Sequence, residues 1–192
     1  ILSHGALVEI ISGKRFDKFL ADEIFAPLKM TDTSFVLPRE KRARFAANYR
    51  RGPDKKLQLI EDPEKSIYLK EPTFFSGGGG LTGTTADYVR FCDMLRRGGE
   101  LDGARILGPR TIALMHRNHL KDNKDLTEMA IGGFSETANE GVGFGLGFAC
   151  TLDSVTSGSI VGSDWYWGGA ASTIFWVDAK EDLAVVFMTQ LM

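Results

Sequence analysis

The pattern of apolar residues changes near Val142, and this change constrains the fold more than any other feature of the sequence. Upstream, apolar side chains recur at the spacing of helices. Downstream, glycine alternates with apolar residues over 142–152, and the segments that follow have strand-type composition: 159–167, 171–177 and 183–188. Helices followed by strands joined by short turns predict an α+β domain with an antiparallel sheet and flanking helices.

The first half of the chain predicts two helices and then a long irregular excursion. Ser3 is the expected N-cap of the first helix and Gly13 its C-terminal glycine; its apolar face would comprise Ala6, Leu7, Ile10 and Ile11. The second helix starts near Phe16 and should end at the turn 27–30, because proline is not tolerated inside a helix. The region 31–75 is punctuated by prolines, so it is expected to be a long loop with two short strands.

Two further helix starts are visible before the strands. Thr84 with Asp87 three positions later is typical of a helix N-terminus, and Gly98 follows the expected end of that helix. Its apolar stripe consists of Tyr88, Phe91, Cys92 and Leu95. Gly103 indicates a tight turn, and Pro109 is expected at the first position of the next helix.

Composition excludes several functional classes. The 192 residues carry a net charge of −2, without the basic excess of a nucleic-acid-binding protein. No segment approaches the ~18 uninterrupted apolar residues of a membrane span. Cys92 and Cys150 are too few for a disulfide framework, and both are expected to be small core residues rather than reactive thiols. Neither a nucleic-acid partner nor a membrane span is therefore expected.

Short motifs provide no nucleophile, metal site or cofactor site. The closest approach to a Gly-x-Ser-x-Gly elbow, at 133–137, lacks the closing glycine, and no Ser-x-x-Lys pair occurs. His116 and His119 have no acidic or cysteine partner at zinc-like spacing, so both are interpreted as ordinary surface histidines. The glycine run 77–80 lacks the Gly-Lys-Ser/Thr ending of a phosphate loop, so close backbone approach is the preferred interpretation.

The strongest local signal is Trp167-Gly168-Gly169 followed by Ala170. Two glycines weaken a strand, so they need a physical reason. One reason is close approach by a ligand, whose amide or ester group could bind the strand while a backbone N–H stabilises an oxyanion. The other is a bulge or bend in the sheet, flanked by core tryptophans. Local chemistry alone leaves both interpretations open.

Taken together, these segments resemble the serine beta-lactamase-related family, which includes class C beta-lactamases, DD-peptidases and esterases. The similarity follows chain order through four regions: 5–13; 24–35; 78–88 with 98–99 and 107–115; and 167–169. Lys29 stands where the family usually has glycine. Trp167-Gly168-Gly169 occupies the place of the third motif, Lys-Thr-Gly or His-x-Gly.

The resemblance implies a serine hydrolase that forms an acyl-enzyme without a cofactor or metal. By the same resemblance, Trp167, Gly168 and Gly169 line the substrate site and the backbone N–H of Ala170 forms half of the oxyanion hole. Trp167 replaces a cationic residue, which favours neutral esters or amides over acidic lactams. Two alternatives stay open: a non-catalytic binding or scaffold domain with this fold, and a glycine-rich nucleotide-binding module.

The resemblance also implies that 1–192 is the C-terminal portion of a larger catalytic domain. The chain begins with Ile1 rather than Met, and the family's nucleophile and lysine lie upstream of any segment matched here. The isolated chain is therefore expected to be catalytically silent. An unpaired apolar sheet edge invites pairing, so we expect a second copy of the chain or a complementing N-terminal fragment as partner.

Overall fold

The structure is a computed structural model that describes residues 3–129, 139–159 and 162–192. Within these ranges the α-helices are α1 (His4–Ser12), α2 (Phe16–Leu20), α3 (Thr85–Arg96), α4 (Pro109–Met115) and α5 (Ser154–Ser157). The strands are β1 (Asn48–Arg51), β2 (Leu57–Glu61), β3 (Glu100–Leu101), β4 (Ala104–Arg105), β5 (Val142–Phe144), β6 (Ala149–Thr151), β7 (Trp165–Gly169), β8 (Thr173–Asp178) and β9 (Leu183–Phe187). No described helix is long and apolar enough to cross a membrane.

The strands form two small hairpins and one larger sheet. β1 pairs with β2, and β3 pairs with β4, both antiparallel. The larger sheet has the order β5-β6-β7-β8-β9, which follows the chain. β6 pairs antiparallel with β5 and with β7, so that Cys150 lies opposite both Gly143 and Trp165. The prediction of an α+β fold with an antiparallel sheet is confirmed.

Tertiary contacts divide the chain into two compact units. The first contains the residues up to Phe91 together with Gly169–Thr173 and Phe187–Met192. The second contains Cys92–Gly168 and Ile174–Val186. The hairpin β1–β2 lies in the first unit, and so does the turn after β7.

The core of the first unit contains a cluster of three phenylalanines. The ring of Phe35 lies 5.9 Å from that of Phe16 and 5.0 Å from that of Phe75. Val8 of α1 packs against this cluster. Gly5 allows close approach of the helix, since a Cβ there would lie 2.7 Å from the carbonyl oxygen of Phe75. Helix α1 therefore packs through its Gly5 and Val8 side.

This packing corrects the prediction for α1. The expected apolar face is exposed, with Leu7, Ile10 and Ile11 at 51%, 80% and 77% of full exposure. Hydrophobic spacing identified an apolar stripe, but close backbone packing at Gly5 decides which side faces the phenylalanines. Ser3 is also not a side-chain cap, because its backbone is already helical. Gly13 ends the helix with a left-handed φ of 68°, as predicted.

The other boundary signals of the first unit are confirmed. The hydroxyl of Thr84 accepts a hydrogen bond from the N–H of Asp87 (3.2 Å), which caps α3. The excursion 31–75 contains the two expected short strands, β1 and β2. Lys29, in the turn after the second helical segment, has a left-handed φ of 55°. That conformation suits glycine, the residue that the family resemblance leads one to expect at this position.

The core of the second unit is built on Trp165, Leu95 and Val177, all nearly inaccessible to solvent. Cys92 and Cys150 are buried as predicted. Burial raises the pKa of the Cys92 thiol to about 12 and also raises that of Cys150, so neither is poised as a thiolate.

Two strand boundaries differ from prediction. β7 begins at Trp165 rather than at 159. The carboxylate of Asp164, just before the strand, accepts hydrogen bonds from the hydroxyls of Thr151 and Ser159, and residues 160 and 161 of the predicted strand lie outside the described residues. β8 begins at Thr173 rather than at 171, because the preceding residues form the hairpin turn. The turn between Asp178 and Asp182 lies where it was predicted.

Candidate functional site

Strand β7 passes from the core to solvent along its length. Trp165 is 2% exposed, whereas Trp167 is 39% exposed and Gly168, Gly169 and Ala170 are exposed as well. The four residues implicated by the third-motif resemblance are thus consecutive and accessible at the end of one strand. Their roles in catalysis and binding stay predictions.

The turn after β7 supplies one physical reason for glycine. The carbonyl of Gly169 accepts a hydrogen bond from the N–H of Ser172 (3.1 Å), and Ser172 has a left-handed φ of 57°. A Cβ at Gly169 would lie 2.4 Å from the hydroxyl oxygen of Thr173. The absence of a side chain at Gly169 therefore lets this turn close, and Ala170 occupies the turn itself.

The C-terminal segment holds this turn through a set of hydrogen bonds. The hydroxyl of Thr189 donates to the carbonyl oxygens of Ala171 (2.7 Å) and Ser172 (3.1 Å). The hydroxyl of Ser172 donates to the carbonyl of Leu191 (2.7 Å), whose N–H returns a bond to Ala171 (3.2 Å). Sequence reasoning did not identify these residues, because no short motif links Thr189 to a turn so far back in the chain.

The second unit contains an aromatic pair that includes Trp167. The rings of Trp167 and Phe144 meet edge to face at 4.9 Å. The N–H of Phe144 donates to Oδ1 of Asn118 (3.0 Å), and its carbonyl accepts from the N–H of His119 (2.8 Å). Asn118 also donates to the carbonyl of Lys124 (2.9 Å). Asn118 therefore fixes the backbone of Phe144, although its sequence context carries no signal of that role.

His116 has a structural position that corrects its interpretation as a surface residue. Its ring stacks on Trp165 with centroids 5.5 Å apart and planes 9° apart. Burial, and secondarily the charge of Arg117, lowers the pKa of His116, so the neutral ring is favoured. Phe148 contacts the same tryptophan at 4.9 Å. The ring of His116 is thus part of the support beneath β7.

The described residues do not assemble a metal site or a phosphate-binding loop at the other positions considered from the sequence. Within the described ranges, no three His, Cys, Asp or Glu side chains come together as a metal site would require. His119 instead places Nε2 2.8 Å from the carbonyl of Leu114. In the glycine run, Gly80 has a positive φ of 102° and lies close to Phe35. The serine at 135 lies outside the described residues.

A cavity of about 310 Å³ in the first unit is lined in part by Arg15, Asp17, Glu71 and Phe75. The guanidinium of Arg15 is paired with both carboxylates at 2.6 Å and lies 4.9 Å from the centre of the Phe75 ring. Its charge is therefore used within the protein itself.

Comparison with known proteins identifies relatives about twice as long as this chain. The chain is 30% identical to Protein Rv1367c of Mycobacterium tuberculosis over 190 residues, which cover 97% of this chain and 46% of that protein. It is 27% identical to lovastatin esterase of Penicillium rubens, covering 95% of this chain and 47% of the esterase. The chain thus spans about half the length of the curated relatives it matches.

A solved structure extends the comparison to the fold. EstCE1, described as a hydrolase with promiscuous acyltransferase activity, superposes with a TM-score of 0.78 at 25% identity. The superposition covers 97% of this chain and 49% of EstCE1. The family model described as Beta-lactamase matches residues 3–192. The resemblance drawn from the sequence is confirmed, and the chain belongs to the Beta-lactamase family.

Proposed function

We propose that this chain supplies the substrate-lining strand of a serine hydrolase that acts on neutral esters or amides through an acyl-enzyme. The observation that carries the proposal is the exposure of the strand end from Trp167 to Ala170, a segment that resembles the family's third motif. Similarity to lovastatin esterase and to the hydrolase EstCE1 supports hydrolytic chemistry.

In this proposal the strand end acts on the carbonyl group of the substrate. Gly168 and Gly169 leave room for the substrate beside the main chain, and the N–H of Ala170 stabilises the oxyanion of the tetrahedral intermediate. A preorganised donor is effective because it costs no reorganisation during reaction. The hydrogen bonds from Thr189 to the same turn support such preorganisation.

Trp167 is proposed to select neutral substrates over negatively charged ones. Its indole is 39% exposed and is backed by the edge of the Phe144 ring, so the strand presents an aromatic surface. A cation at this place would bind a substrate carboxylate, whereas an indole favours apolar or neutral groups. Esters and amides without a carboxylate are therefore preferred over acidic lactams.

The nucleophile of this reaction is proposed to come from outside the chain. None of the serines in the 192 residues is followed three positions later by lysine. Without a serine nucleophile, binding and oxyanion stabilisation leave only a small residual rate. The chain alone is therefore proposed to be inactive.

A fluorophosphonate probe tests this assignment directly. The isolated chain should not be labelled, and it should not hydrolyse p-nitrophenyl butyrate. A longer polypeptide, expressed together with the residues encoded upstream, should be labelled once per chain. It should also hydrolyse the ester in preference to benzylpenicillin. Stoichiometric labelling of the isolated chain would reveal a missed nucleophile, and a preference for penicillin would overturn the role of Trp167.

The outer strand of the sheet supports the proposed partner. β9 is last in the strand order, and its Leu183 and Phe187 are 46% and 57% exposed. An apolar edge of this kind pairs readily with another strand. A second copy or a complementing N-terminal fragment would cover it, and strictly monomeric light scattering with no response to such a fragment would contradict the idea.

The alternative is a non-catalytic binding or scaffold domain. Its supporting observation is the same absence of a Ser-x-x-Lys pair from the sequence. The upstream coding sequence separates the two functions, because a Ser-x-x-Lys pair followed by a Tyr motif supports the enzyme. Its absence there, together with no labelling of the longer polypeptide, would favour the scaffold.

A further inference from the structure

Positive charge is concentrated in one short segment of a nearly neutral chain. Residues 39–56 contain eight of the 23 Lys and Arg residues but only two of the 25 Asp and Glu residues. The rest of the chain is correspondingly acidic. A local concentration of one sign creates a field that attracts an oppositely charged partner.

Much of this charge lies on the β1–β2 hairpin, whose apolar side chains are also exposed. Leu57, Leu59 and Ile60 are 65%, 54% and 41% exposed. Cross-strand pairing sets Arg51 opposite Leu57 and Tyr49 opposite Leu59, so cations and apolar groups lie side by side. The hairpin therefore presents a mixed basic and apolar surface rather than a purely charged one.

The turn of the hairpin contains a lysine in a conformation that suits glycine. The N–H of Lys55 donates to the carbonyl of Gly52 (2.9 Å), and Lys55 has a φ of 63°. The next residue, Lys56, donates its N–H to the carboxylate of Asp54 (3.2 Å). A left-handed conformation costs a residue with a side chain more than it costs glycine. Lys55 therefore places a positive charge in the turn at a conformational cost that glycine would not have.

Ion pairing distinguishes the hairpin cations from Lys41 and Arg44. Lys41 and Arg44 both form ion pairs with Asp32 at 2.8 Å. Within the part of the chain that the structure describes, Arg51, Lys55 and Lys56 form no ion pair. Their charges are therefore available to an external anion.

We propose that the β1–β2 hairpin binds an anionic lipid surface, with Arg51, Lys55 and Lys56 at the headgroups and Leu57 and Leu59 in the interface. Binding at such a surface draws on both apolar burial and attraction to anionic lipids, and this hairpin offers both. Nucleic acid would use the cations alone, leaving the leucines in water. A symmetric second copy would bring the two basic surfaces together, which like-charge repulsion disfavours.

Vesicle co-sedimentation of the whole chain tests the proposal. The chain should bind vesicles that contain phosphatidylglycerol, bind phosphatidylcholine vesicles much less, and be released by salt. Lys55→Gly should weaken binding by on the order of fivefold, the contribution of one cation near such a surface. Because the same change relieves backbone strain, thermal unfolding should occur at or above the wild-type temperature, which separates lost binding from lost folding.

Matched controls are available away from the β1–β2 hairpin. Lys180, in the turn between β8 and β9, is an exposed turn lysine like Lys55, and Leu146, between β5 and β6, is an exposed leucine like Leu57. Leu57→Ser should weaken vesicle binding, whereas Lys180→Gly and Leu146→Ser should leave it unchanged. Equal effects of Lys55→Gly and Lys180→Gly would overturn the proposal, as would the absence of vesicle binding.

The other possible partners of the hairpin, duplex DNA and a second copy of the chain, would give different results. Binding to duplex DNA that depends on Lys55 but not on Leu57 would assign the hairpin to nucleic acid instead. A dimer in light scattering that Leu57→Ser dissociates would assign it to a second copy. Either result, if the chain also shows no preference for anionic vesicles, would contradict the proposal that the hairpin binds a lipid surface.

Discussion

The hydroxyl of Thr189 lies 2.7 Å from the carbonyl oxygen of Ala171 and donates a hydrogen bond to it. Ala171 directly follows the residue proposed to supply the oxyanion N–H. The same hydroxyl lies 3.1 Å from the carbonyl of Ser172. Thr189 therefore restrains the turn at two consecutive carbonyl groups, directly after Ala170.

Thr189→Val should loosen this turn while nearly preserving side-chain shape. Loss of the shared hydrogen bond should lower the free energy of unfolding by about 1 kcal/mol, measured by urea denaturation. Thr111→Val, at an exposed position of α4, is the matched control and should change stability by less than about 0.5 kcal/mol. Equal effects of the two substitutions would contradict the restraint.

Asp87 should be essential for the junction between α3 and the turn at Asp32. It is 5% exposed, and its Oδ2 accepts hydrogen bonds from the N–H of Asp32 (2.7 Å) and the hydroxyl of Thr33 (2.8 Å). Asp87→Ala leaves those donors without their acceptor, so it should lower the free energy of unfolding by roughly 2–4 kcal/mol. Calorimetry or urea denaturation measures this loss.

A double-mutant cycle identifies the partner of Asp87. If the carboxylate acts through Thr33, the effects of Asp87→Ala and Thr33→Val should be less than additive by about 0.5–3 kcal/mol. The exposed Asp22, which pairs with Lys14, provides the control, and Asp22→Ala should cost less than about 1 kcal/mol. Strict additivity of the first two changes would show that the contact contributes little.

The features predicted correctly from the sequence are those set by local chemistry. Thr84 caps α3 through a bond spanning three residues, and Gly13 ends α1 because glycine accepts a left-handed backbone. Pro109 begins α4 for an equally local reason, since its missing N–H is not needed there. Such signals require only the neighbouring residues.

The features that were missed depend on partners far apart in the chain. Asn118 and Phe144, which share a hydrogen bond, are 26 residues apart in the sequence, and Thr189 and Ala171 are 18 residues apart. The prediction of which face of α1 is buried was wrong for the same reason, because Gly5 packs against Phe75, which is remote in sequence. The double glycine identified the candidate strand, but the side chains that position it have no local pattern.

Stability should depend on pH through His116. Burial lowers the pKa of this group in the folded chain, whereas the unfolded value is about 6.5. Its stabilising contribution is thus fully present above the unfolded pKa and is lost as pH falls through the lower folded pKa. The urea midpoint should therefore decrease as pH falls from about 7.5 to about 5.5, the range in which histidine titrates.

His116→Phe is the control for that titration. Phenylalanine keeps an aromatic ring near Trp165 but carries no titrating nitrogen. The part of the pH dependence due to His116 should vanish, while His119→Phe, at an exposed position, should preserve it. A variant that retains the full pH dependence would assign the effect to another group.

Gly5→Ala should be destabilising even though alanine is the better helix former. In an open helix, replacing glycine by alanine stabilises by about 1 kcal/mol. At Gly5, however, the new Cβ would lie 2.7 Å from the carbonyl oxygen of Phe75 and 3.1 Å from the ring of Phe16. Moving α1 away from a backbone atom disturbs the phenylalanine cluster, so a net loss of about 1–3 kcal/mol is expected. Gly79→Ala is the control, because a Cβ at Gly79 meets nothing within 4 Å. Urea denaturation should therefore separate the two variants, and a stabilised Gly5→Ala protein would show that α1 does not pack closely on Phe75.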